Sequence, residues 1–283
     1  MIARTLRTVV GNLSFTEGPR WRDGRLWFSD AHAGRVLSVD ETDNLRVEAV
    51  MPSGCSGLGW RPDGTLLVLL TQARTLVEVV GSAIVRPVDL SGWLPGSGTE
   101  LITDPRGRAY VGNAGFNWRT KEAPRATRLV TVAPGGEISF ASDEPLDFPN
   151  GTVITPDCRT LIIAETLGKR LTTFDVASDG SLANRGLFAD LGEAMPDGIC
   201  LDAEGAVWAC SPNTSQVLRV KGGEIVDRIP TGPRGAFACM LGGADRRTLY
   251  IATGSIFDFT DAHPKLPAAI DAVRVDVPGV GFP

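Results

Sequence analysis

A turn-and-strand unit that recurs six times is the feature of this chain that most constrains its fold. Each copy pairs a polar turn around an aspartate with a short apolar run, as in 26–28 and 66–68. A period of roughly 40–50 residues is typical of β-propeller blades, each with four antiparallel strands. The six repeats therefore predict an all-β, six-bladed propeller that forms a single domain over residues 1–283. The turn aspartates, spaced by 40, 41, 53, 45 and 43 residues, are Asp23, Asp63, Asp104, Asp157, Asp202 and Asp245.

Segments of alternating apolar and polar residues supply the outer strands of the blades, and no segment has a helical period. Blade one is completed by residues 34–40 and 45–50, and blade four by 170–176 and 185–190. The sixth repeat ends after residues 269–277 and lacks an outer strand. We expect the N-terminal segment 5–10 to supply it, which closes the ring and removes two exposed strand edges.

Composition and charge exclude several classes of partner. The net charge of −5 does not favour nucleic acid or an anionic membrane surface. The first residues lack the apolar core of a secretory signal, and no apolar segment is long enough to span a bilayer. The five cysteines are odd in number and lack CxxC spacing, which indicates free thiols in a reducing compartment. We expect a cytoplasmic protein with no nucleic-acid or membrane partner, as a monomer or weak homodimer.

The innermost strand of each blade lines the central channel, so the first residues of these strands converge near the axis. Two carboxylates and an amide at these positions would repel one another unless a cation lay between them. Such hard oxygen donors suit Ca²⁺, Mg²⁺ or Mn²⁺, while Zn²⁺ or Fe²⁺ fits a catalytic site with open positions. The same side chains could instead bind backbone amides around the channel, as Asp and Asn do in turns. The six predicted positions are Glu17, Ser56, Thr99, Asn150, Asp197 and Ala238.

Other motifs add one candidate region and exclude several chemistries. Residues 115–126 are additional to the repeat and carry Phe116 and Trp118, so we expect them to form a wall or lid over the channel. His32 and His263 lie in loop-like contexts and are expected to be solvated. No Gly-x-Ser-x-Gly elbow, Walker loop or GxGxxG fingerprint supports a serine hydrolase or nucleotide site.

Motifs along nearly the whole chain resemble the senescence-marker-protein / gluconolactonase / luciferin-regenerating-enzyme family of six-bladed propellers. The resemblance implies one divalent metal ion held by Glu17, Asn150 and Asp197. It also implies hydrolysis of a small-molecule lactone, with Asp197 as the catalytic base. The motifs are Glu17-Gly18-Pro19-Arg20-Trp21, Ser56-Gly57-Leu58-Gly59-Trp60, Arg108-Ala109-Tyr110-Val111-Gly112-Asn113, Phe148-Pro149-Asn150-Gly151, Pro196-Asp197-Gly198 and Phe237-Ala238-Cys239-Met240-Leu241-Gly242-Gly243.

The third inner strand departs from the family pattern. Family members commonly have an Asn-Asp pair there, often after a His or Arg, whereas this chain has Thr99-Glu100 preceded by Ser97. Threonine offers one hydroxyl where asparagine offers an amide with two donors and an acceptor. We therefore expect weaker recognition of polyols and a substrate less polar than a sugar lactone.

The predicted substrate contacts follow from this departure and from the insertion. They are Thr99, Glu100, Asn113, Phe116 and Trp118, with Asn113 expected beside the developing oxyanion. The departure also leaves other functions open. One is a metal-dependent enzyme of changed chemistry, such as a dehydratase, an isomerase or another ester hydrolase. Another is a non-catalytic metal- or ligand-binding regulatory propeller, since a fold does not determine a function.

Overall fold

The computed structural model describes residues 4–255 and 267–281 and confirms the six-bladed propeller, with six four-stranded antiparallel sheets around a central axis. Two short 3-10 helices, η1 (Trp118–Thr120) and η2 (Pro212–Thr214), are the only helical elements of these residues. In the same part of the chain, no helix is long and apolar enough to cross a membrane. The strands are β1 (Arg7–Leu13), β2 (Thr16–Arg22), β3 (Arg25–Asp30), β4 (Arg35–Asp40), β5 (Leu45–Val50), β6 (Cys55–Trp60), β7 (Leu66–Leu70), β8 (Thr75–Val80), β9 (Ala83–Asp89), β10 (Gly98–Thr103), β11 (Ala109–Asn113), β12 (Val130–Val132), β13 (Ile138–Phe140), β14 (Pro149–Ile154), β15 (Thr160–Glu165), β16 (Arg170–Val176), β17 (Leu182–Asp190), β18 (Ile199–Leu201), β19 (Val207–Ser211), β20 (Gln216–Lys221), β21 (Glu224–Pro230), β22 (Gly235–Gly242), β23 (Thr248–Gly254) and β24 (Ala268–Arg274).

The N-terminal strand closes the ring. Blades one to five are β2–β5, β6–β9, β10–β13, β14–β17 and β18–β21, whereas the sixth has the order β1-β24-β23-β22. Strand β1 pairs antiparallel with β24, from Arg7 opposite Ala272 to Leu13 opposite Ala268. The predicted closure is therefore confirmed. The strand bounds differ from the predicted segments 5–10 and 269–277, because β1 extends to Leu13 and β24 ends at Arg274.

The turn aspartates have the structural role expected of them, and five of the six hold their turns by one hydrogen-bond pattern. In the Asp104 turn, one carboxylate oxygen accepts from the backbone N–H of Arg106 and of Arg108, both at 2.9 Å. The first turn differs, because Asp23 itself adopts a positive φ of 51°. An Asp side chain that accepts from the N–H two residues later stabilises a turn without tertiary contacts. The other four of this pattern are Asp63, Asp157, Asp202 and Asp245.

The apolar core lies between neighbouring blades. In β7 every residue is buried, because the sheet is covered on both faces. Leu66, Val68 and Leu70 pack in the cluster shared with blade one, whereas Leu67 and Leu69 pack in the cluster shared with blade three. Alternate residues of a strand point to opposite faces, so one apolar run joins two blades. Each fully buried Leu contributes about 1.5–3 kcal/mol to stability.

The inner strands of neighbouring blades lie against one another around the axis, which brings their first residues together.

All five cysteines are free thiols, and Cys55, Cys200, Cys210 and Cys239 are buried. The predicted free thiols are thus confirmed.

Candidate active site

A β-bulge near the start of each of five inner strands turns one side chain toward the axis. In β2 the pairing with β3 shifts register between Glu17 and Arg20, and in β14 the pairing with β15 shifts between Pro149 and Thr152. Corresponding shifts occur in β6, β10 and β22. A bulge adds one residue to one strand and re-aims its side chain. The repeat of the sequence is therefore also a repeat of a local irregularity.

Glycines beside the bulge residues allow the inner strands to approach closely. Gly18 has a φ of 58°, in the left-handed region that glycine adopts without strain. A Cβ at Gly151 would lie 2.3 Å from the carbonyl oxygen of Asp197. The same oxygen accepts a 3.2 Å hydrogen bond from the Gly151 N–H, while the Asp197 N–H donates to the carbonyl of Cys210 at 2.9 Å. These contacts fix the backbone of Asp197 between two blades.

The bulge residues line a cavity of about 270 Å³ that opens at one end of the channel. Five of the six predicted channel positions border it, and the sixth, Ala238, is replaced on the wall by its neighbour Phe237. The structure therefore brings together the three predicted ligand residues. The five positions are Glu17, Ser56, Thr99, Asn150 and Asp197.

The two carboxylates lie deep in the protein and raise each other's cost of ionisation. Desolvation, and then the charge of Glu100, raise the pKa of Asp197 to about 8, against a lowering by a hydrogen bond from Asn150. Desolvation is also the main cause of the raised pKa of Glu17, followed by the charges of Asp197 and Glu100. No described Lys or Arg forms an ion pair with either carboxylate. Ionisation of both groups would therefore place negative charge at the site, and no ion pair with a described Lys or Arg would balance it.

The neighbouring polar side chains leave oxygens directed at the same cavity. The Asn150 Nδ2 donates to Thr166 Oγ1 at 3.3 Å, and that hydroxyl donates to the carbonyl of Pro196 at 2.7 Å. These bonds hold the amide in one orientation. Ser56 lines the cavity at 3% exposure, and its Oγ has no hydrogen-bond partner. A buried unpaired hydroxyl costs about 1–3 kcal/mol, which a ligand in the cavity would offset.

These side chains fit a divalent cation only if the two carboxylates are joined by at least one uncharged oxygen ligand. Among residues 4–255 and 267–281, no three His, Cys, Asp or Glu side chains form a metal-binding group. The site thus offers two carboxylates, the Asn150 amide and the Ser56 hydroxyl, all hard oxygen donors. A cation between the carboxylates would favour their ionised forms and remove the repulsion described above.

Glu100 does not border the cavity, contrary to the expected substrate contact. It is 4% exposed and forms an ion pair with Arg20, with Nη2 and Oε1 3.2 Å apart. Arg20 also donates to the carbonyls of Pro19 and Leu58. Because neighbouring residues in a strand point to opposite sides, directing Thr99 into the cavity directs Glu100 away from it. Glu100 therefore influences the site through its charge.

Asn113 and Phe116 also lie off the cavity wall. The Asn113 Oδ1 accepts from the Gly115 N–H and the Thr127 hydroxyl, both at 3.0 Å, and Nδ2 donates to the carbonyl of Arg128 at 3.1 Å. With its side chain occupied, Asn113 holds the beginning of the insertion and is not available to an oxyanion. Phe116 is buried against Phe148, with ring centroids 6.0 Å apart, so it supports a residue of the wall.

Thr99 and Trp118 do border the cavity. The Thr99 hydroxyl donates to the carbonyl of Pro149 at 2.7 Å, so toward a ligand it can only accept. Trp118 lies in η1 of the insertion, which thus contributes to the wall as expected.

The sequence interpretation missed several wall residues. His32 is exposed, as expected, but it also borders the cavity and stacks on Phe15 with ring centroids 5.2 Å apart, while His263 lies outside the described residues. Four other wall residues each stand two positions before one of the channel positions Glu17, Thr99, Asn150 and Asp197. Because alternate residues of an extended chain share a side, this spacing of two was a usable signal. These four are Phe15, Ser97, Phe148 and Met195.

Known proteins are similar to this chain in sequence and in architecture. The 6-deoxy-6-sulfogluconolactonase of Pseudomonas putida is 27% identical over 291 residues, with 99% of this chain and 98% of the relative covered. A luciferin-regenerating enzyme superposes with a TM-score of 0.82 at 14% identity, covering 99% and 98% of the two chains. The calcium-binding protein regucalcin of Agrobacterium tumefaciens strain C58 superposes with a TM-score of 0.78 at 20% identity, covering 96% and 94%.

The match to a family model spans most of the propeller. It covers residues 15–255, from the residue before β2 to the residue after β23, and therefore includes Glu17, Asn150 and Asp197. The Thr99-Glu100 departure lies within the matched region, so it is a variation inside the family. The chain belongs to the SMP-30/gluconolactonase/LRE-like family.

Proposed function

We propose that this protein is a divalent-metal-dependent hydrolase that opens a lactone ring. The observation that carries the proposal is the convergence of Glu17 and Asp197 at the inner end of an open cavity, with no described Lys or Arg paired to either. Membership of a family that includes lactonases supports the reaction class, as does the Pseudomonas putida relative named a sulfogluconolactonase. The calcium-binding regucalcin among its structural neighbours supports a metal ion.

Glu17, Asn150 and Asp197 would hold one divalent ion, with Ca²⁺, Zn²⁺, Mn²⁺, Mg²⁺ and Fe²⁺ as candidates. Such an ion supplies Lewis-acid polarisation of the lactone carbonyl. Thr166 orients the Asn150 amide by a hydrogen bond, and Asn150 in turn lowers the pKa of the neighbouring Asp197 carboxyl. This chain of contacts keeps the two oxygen donors in a fixed mutual position, which is the main contribution a protein makes to such a site.

Asp197 would act as the general base. Its carboxylate takes a proton from the attacking water, whose oxygen bonds to the carbonyl carbon. The ring C–O bond then breaks, and the proton passes from Asp197 to the departing ring oxygen, giving a hydroxy acid. The backbone contacts of Asp197 with Gly151 and Cys210 hold the carboxylate in place, so its benefit comes from position.

The cavity wall supports a substrate with an apolar body. Aromatic rings of Phe15, Trp118, Phe148 and Phe237 border it, and Thr99 can only accept a hydrogen bond there. A sugar lactone would place some of its hydroxyls against the ring carbons, which offer no hydrogen-bond partner, and this is unfavourable. We therefore propose an alkyl- or aryl-substituted lactone as a better substrate than gluconolactone.

Proton release in a pH-stat tests the reaction. A panel from gluconolactone to aryl-substituted lactones is measured after EDTA treatment, and again with each of the five candidate ions. We expect acid release above the spontaneous rate only with a metal ion, and faster turnover of the apolar lactones. Gluconolactone turnover equal to that of the best aryl lactone would contradict the apolar substrate.

Matched variants separate Asp197 from a general effect of charge. We expect Asp197→Asn to abolish turnover, while Asp143→Asn, at an exposed aspartate of blade three, retains it. Near wild-type turnover by Asp197→Asn would refute the assigned base. No turnover of any lactone by wild-type protein that binds a metal would favour a dehydratase, an isomerase or a binding protein.

A further inference from the structure

The cavity mouth carries a cation that the proposed hydrolysis does not use. Arg119, in η1 of the insertion, is the only Lys or Arg among the described residues that border the cavity. Its guanidinium forms no hydrogen bond or ion pair with a described residue and lies 5.0 Å from the centroid of the Trp118 ring. An unpaired guanidinium on the wall of a substrate cavity is a potential anion-binding group.

The backbone beneath Arg119 is held in place even though the side chain is exposed. The Asn117 Oδ1 accepts from the N–H of Arg119 at 3.1 Å and of Thr120 at 3.4 Å, which caps the short helix. Lys121 closes the turn in a left-handed conformation, with its N–H donating to the carbonyl of Trp118. Buried Phe116 anchors the preceding chain. The guanidinium therefore extends from a fixed point on the mouth.

His32 lies on the same wall, within electrostatic range of Arg119. Partial desolvation and the charge of Arg119 lower the pKa of His32, against a smaller raising effect of Asp30. Asp30 is already engaged, because it accepts hydrogen bonds from Ser14 and forms an ion pair with Arg35. At neutral pH the imidazole is thus uncharged, and a neutral imidazole carries one N–H.

Other arginines of this region are neutralised, which distinguishes Arg119 from a general basic surface. Arg125, six residues further along the insertion, forms a 3.1 Å ion pair with Glu122. Arg128 forms a 3.4 Å ion pair with Asp143 and lies over the Phe140 ring. Neither Arg125 nor Arg128 borders the cavity. Lys121, at the end of η1, also lacks an ion pair with a described residue, but it does not border the cavity. Arg119 is therefore the one cation that the described part of the wall presents to a ligand.

We propose that the substrate carries an anionic substituent, a carboxylate, sulfonate or phosphate, which is bound by Arg119 with His32 as a second donor. The inference rests on the proposed lactone hydrolysis and extends it to the substrate class. The anionic group binds at the mouth, the apolar body lies against the aromatic wall, and the lactone carbonyl reaches the inner end beside Asp197. The product is then a hydroxy acid with two acidic groups at its opposite ends.

Matched lactones provide the first test. The compounds are δ-valerolactones that carry a sulfomethyl, carboxymethyl or hydroxymethyl group at the same ring carbon, so only charge and anion type change. We expect kcat/KM for the anionic compounds to exceed that for the hydroxymethyl compound by roughly tenfold or more, mainly through KM, because a charge-assisted hydrogen bond is stronger than a neutral one. The ratio should fall as salt is added. Comparison of the two anions shows which one the mouth prefers.

Two charge-removing variants of the insertion form the matched pair. Arg119→Gln should reduce the anionic-to-neutral ratio to about one, while Arg125→Gln should retain the wild-type ratio. His32→Gln should reduce the ratio by less than Arg119→Gln, since the imidazole contributes one neutral donor. Equal ratios for the wild type and Arg119→Gln would overturn the proposal.

Binding of the corresponding lactams separates this inference from the lactonase proposal. The amide bond of a lactam is much less reactive than the ester bond of a lactone, so binding is measured without hydrolysis. Calorimetry should show tighter binding of the sulfomethyl than of the hydroxymethyl lactam, and Arg119→Gln should remove the difference. If no lactone is hydrolysed but this difference is present, the hydrolysis fails and the anion site stands. If lactones are hydrolysed without any difference in either assay, the anion site is wrong. Absence of any lactam binding also overturns it.

Discussion

Removal of divalent ions should make the stability of this protein depend on pH through Asp197 and Glu17. Both carboxylates have raised pKa values in the folded protein, and that of Asp197 is about 8. In the unfolded chain an aspartate titrates near 3.9. Between these values the folded state binds a proton that the unfolded state has lost, so the free energy of unfolding falls as pH rises.

The size of the effect follows from the shift. Each pKa unit corresponds to about 1.4 kcal/mol, so a shift from 3.8 to about 8 corresponds to an upper limit of about 6 kcal/mol. The Asp197 side chain is partly exposed to the cavity, and water there screens the charge. We therefore expect a loss of about 3 kcal/mol between pH 5 and pH 8, roughly half of the limit.

Urea denaturation in EDTA at pH 5, 6, 7 and 8 measures this loss. The wild type should lose about 3 kcal/mol more over this range than Asp197→Asn, which has no carboxyl group to ionise at this position. That substitution also removes a charge that raises the pKa of Glu17. The exposed-site control Asp143→Asn should follow the wild type. A saturating divalent ion should abolish the difference, because it favours the ionised forms of both carboxylates.

Parallel curves for the wild type and Asp197→Asn in EDTA would refute the reasoning. Both carboxylates would then be ionised near neutral pH without a cation, and their convergence would carry no energetic cost. The basis for placing a metal ion between them would be lost.

Three further predictions concern single positions. Glu17→Gln should weaken affinity for the divalent ion by at least roughly tenfold in calorimetry, because an amide replaces a carboxylate ligand, and unchanged affinity would exclude Glu17 as a ligand. Asn113→Ala should cost about 2–4 kcal/mol in urea denaturation with unchanged metal affinity, since it leaves the buried Gly115 N–H and Arg128 carbonyl unpaired. Gly151→Ala should lower kcat by roughly 100-fold, because the new Cβ would lie 2.3 Å from the carbonyl oxygen of Asp197 and would displace that residue. The control Gly92→Ala should not lower kcat, because no atom lies within 4 Å of the Cβ it would add. Full activity of Gly151→Ala would show that the position of Asp197 is not critical.

The fold could be predicted from the sequence because its information is local and repeated. In five of the six repeats an Asp side chain accepts hydrogen bonds from the backbone N–H groups of its own turn, and an apolar strand that packs on both faces follows. This local pattern specifies a blade without contacts from distant residues. Six copies then leave one architecture that removes exposed strand edges. The displaced ends of β1 and β24 reflect pairing between the two ends of the chain, which no local pattern records.

Prediction of the cavity was less complete for a different reason. Glu17, Asn150 and Asp197 were found because each stands at the matching position of its repeat, just before or at the start of an inner strand. Glu100 was assigned to the wrong side of its strand, although the alternation of side chains would have placed it behind Thr99. Asn113 and Phe116 face the structure that supports the insertion, and only the folded contacts with Thr127 and Phe148 reveal this.

The residues of the site that could be predicted belong to the repeat, whereas several of those that could not be predicted lie outside it. Residues of the repeat place the carboxylates at the inner end, where one chemistry can serve many substrates. Residues outside the repeat, such as Trp118 and Arg119, form the mouth, and their sequence follows no period. Under the proposed function, part of the substrate choice is thus set on a loop carried by a rigid scaffold, where local patterns are weakest. We therefore expect substitutions at Trp118 and Arg119 to change the preferred substrate of this protein, while Glu17, Asn150 and Asp197 keep the same proposed chemistry.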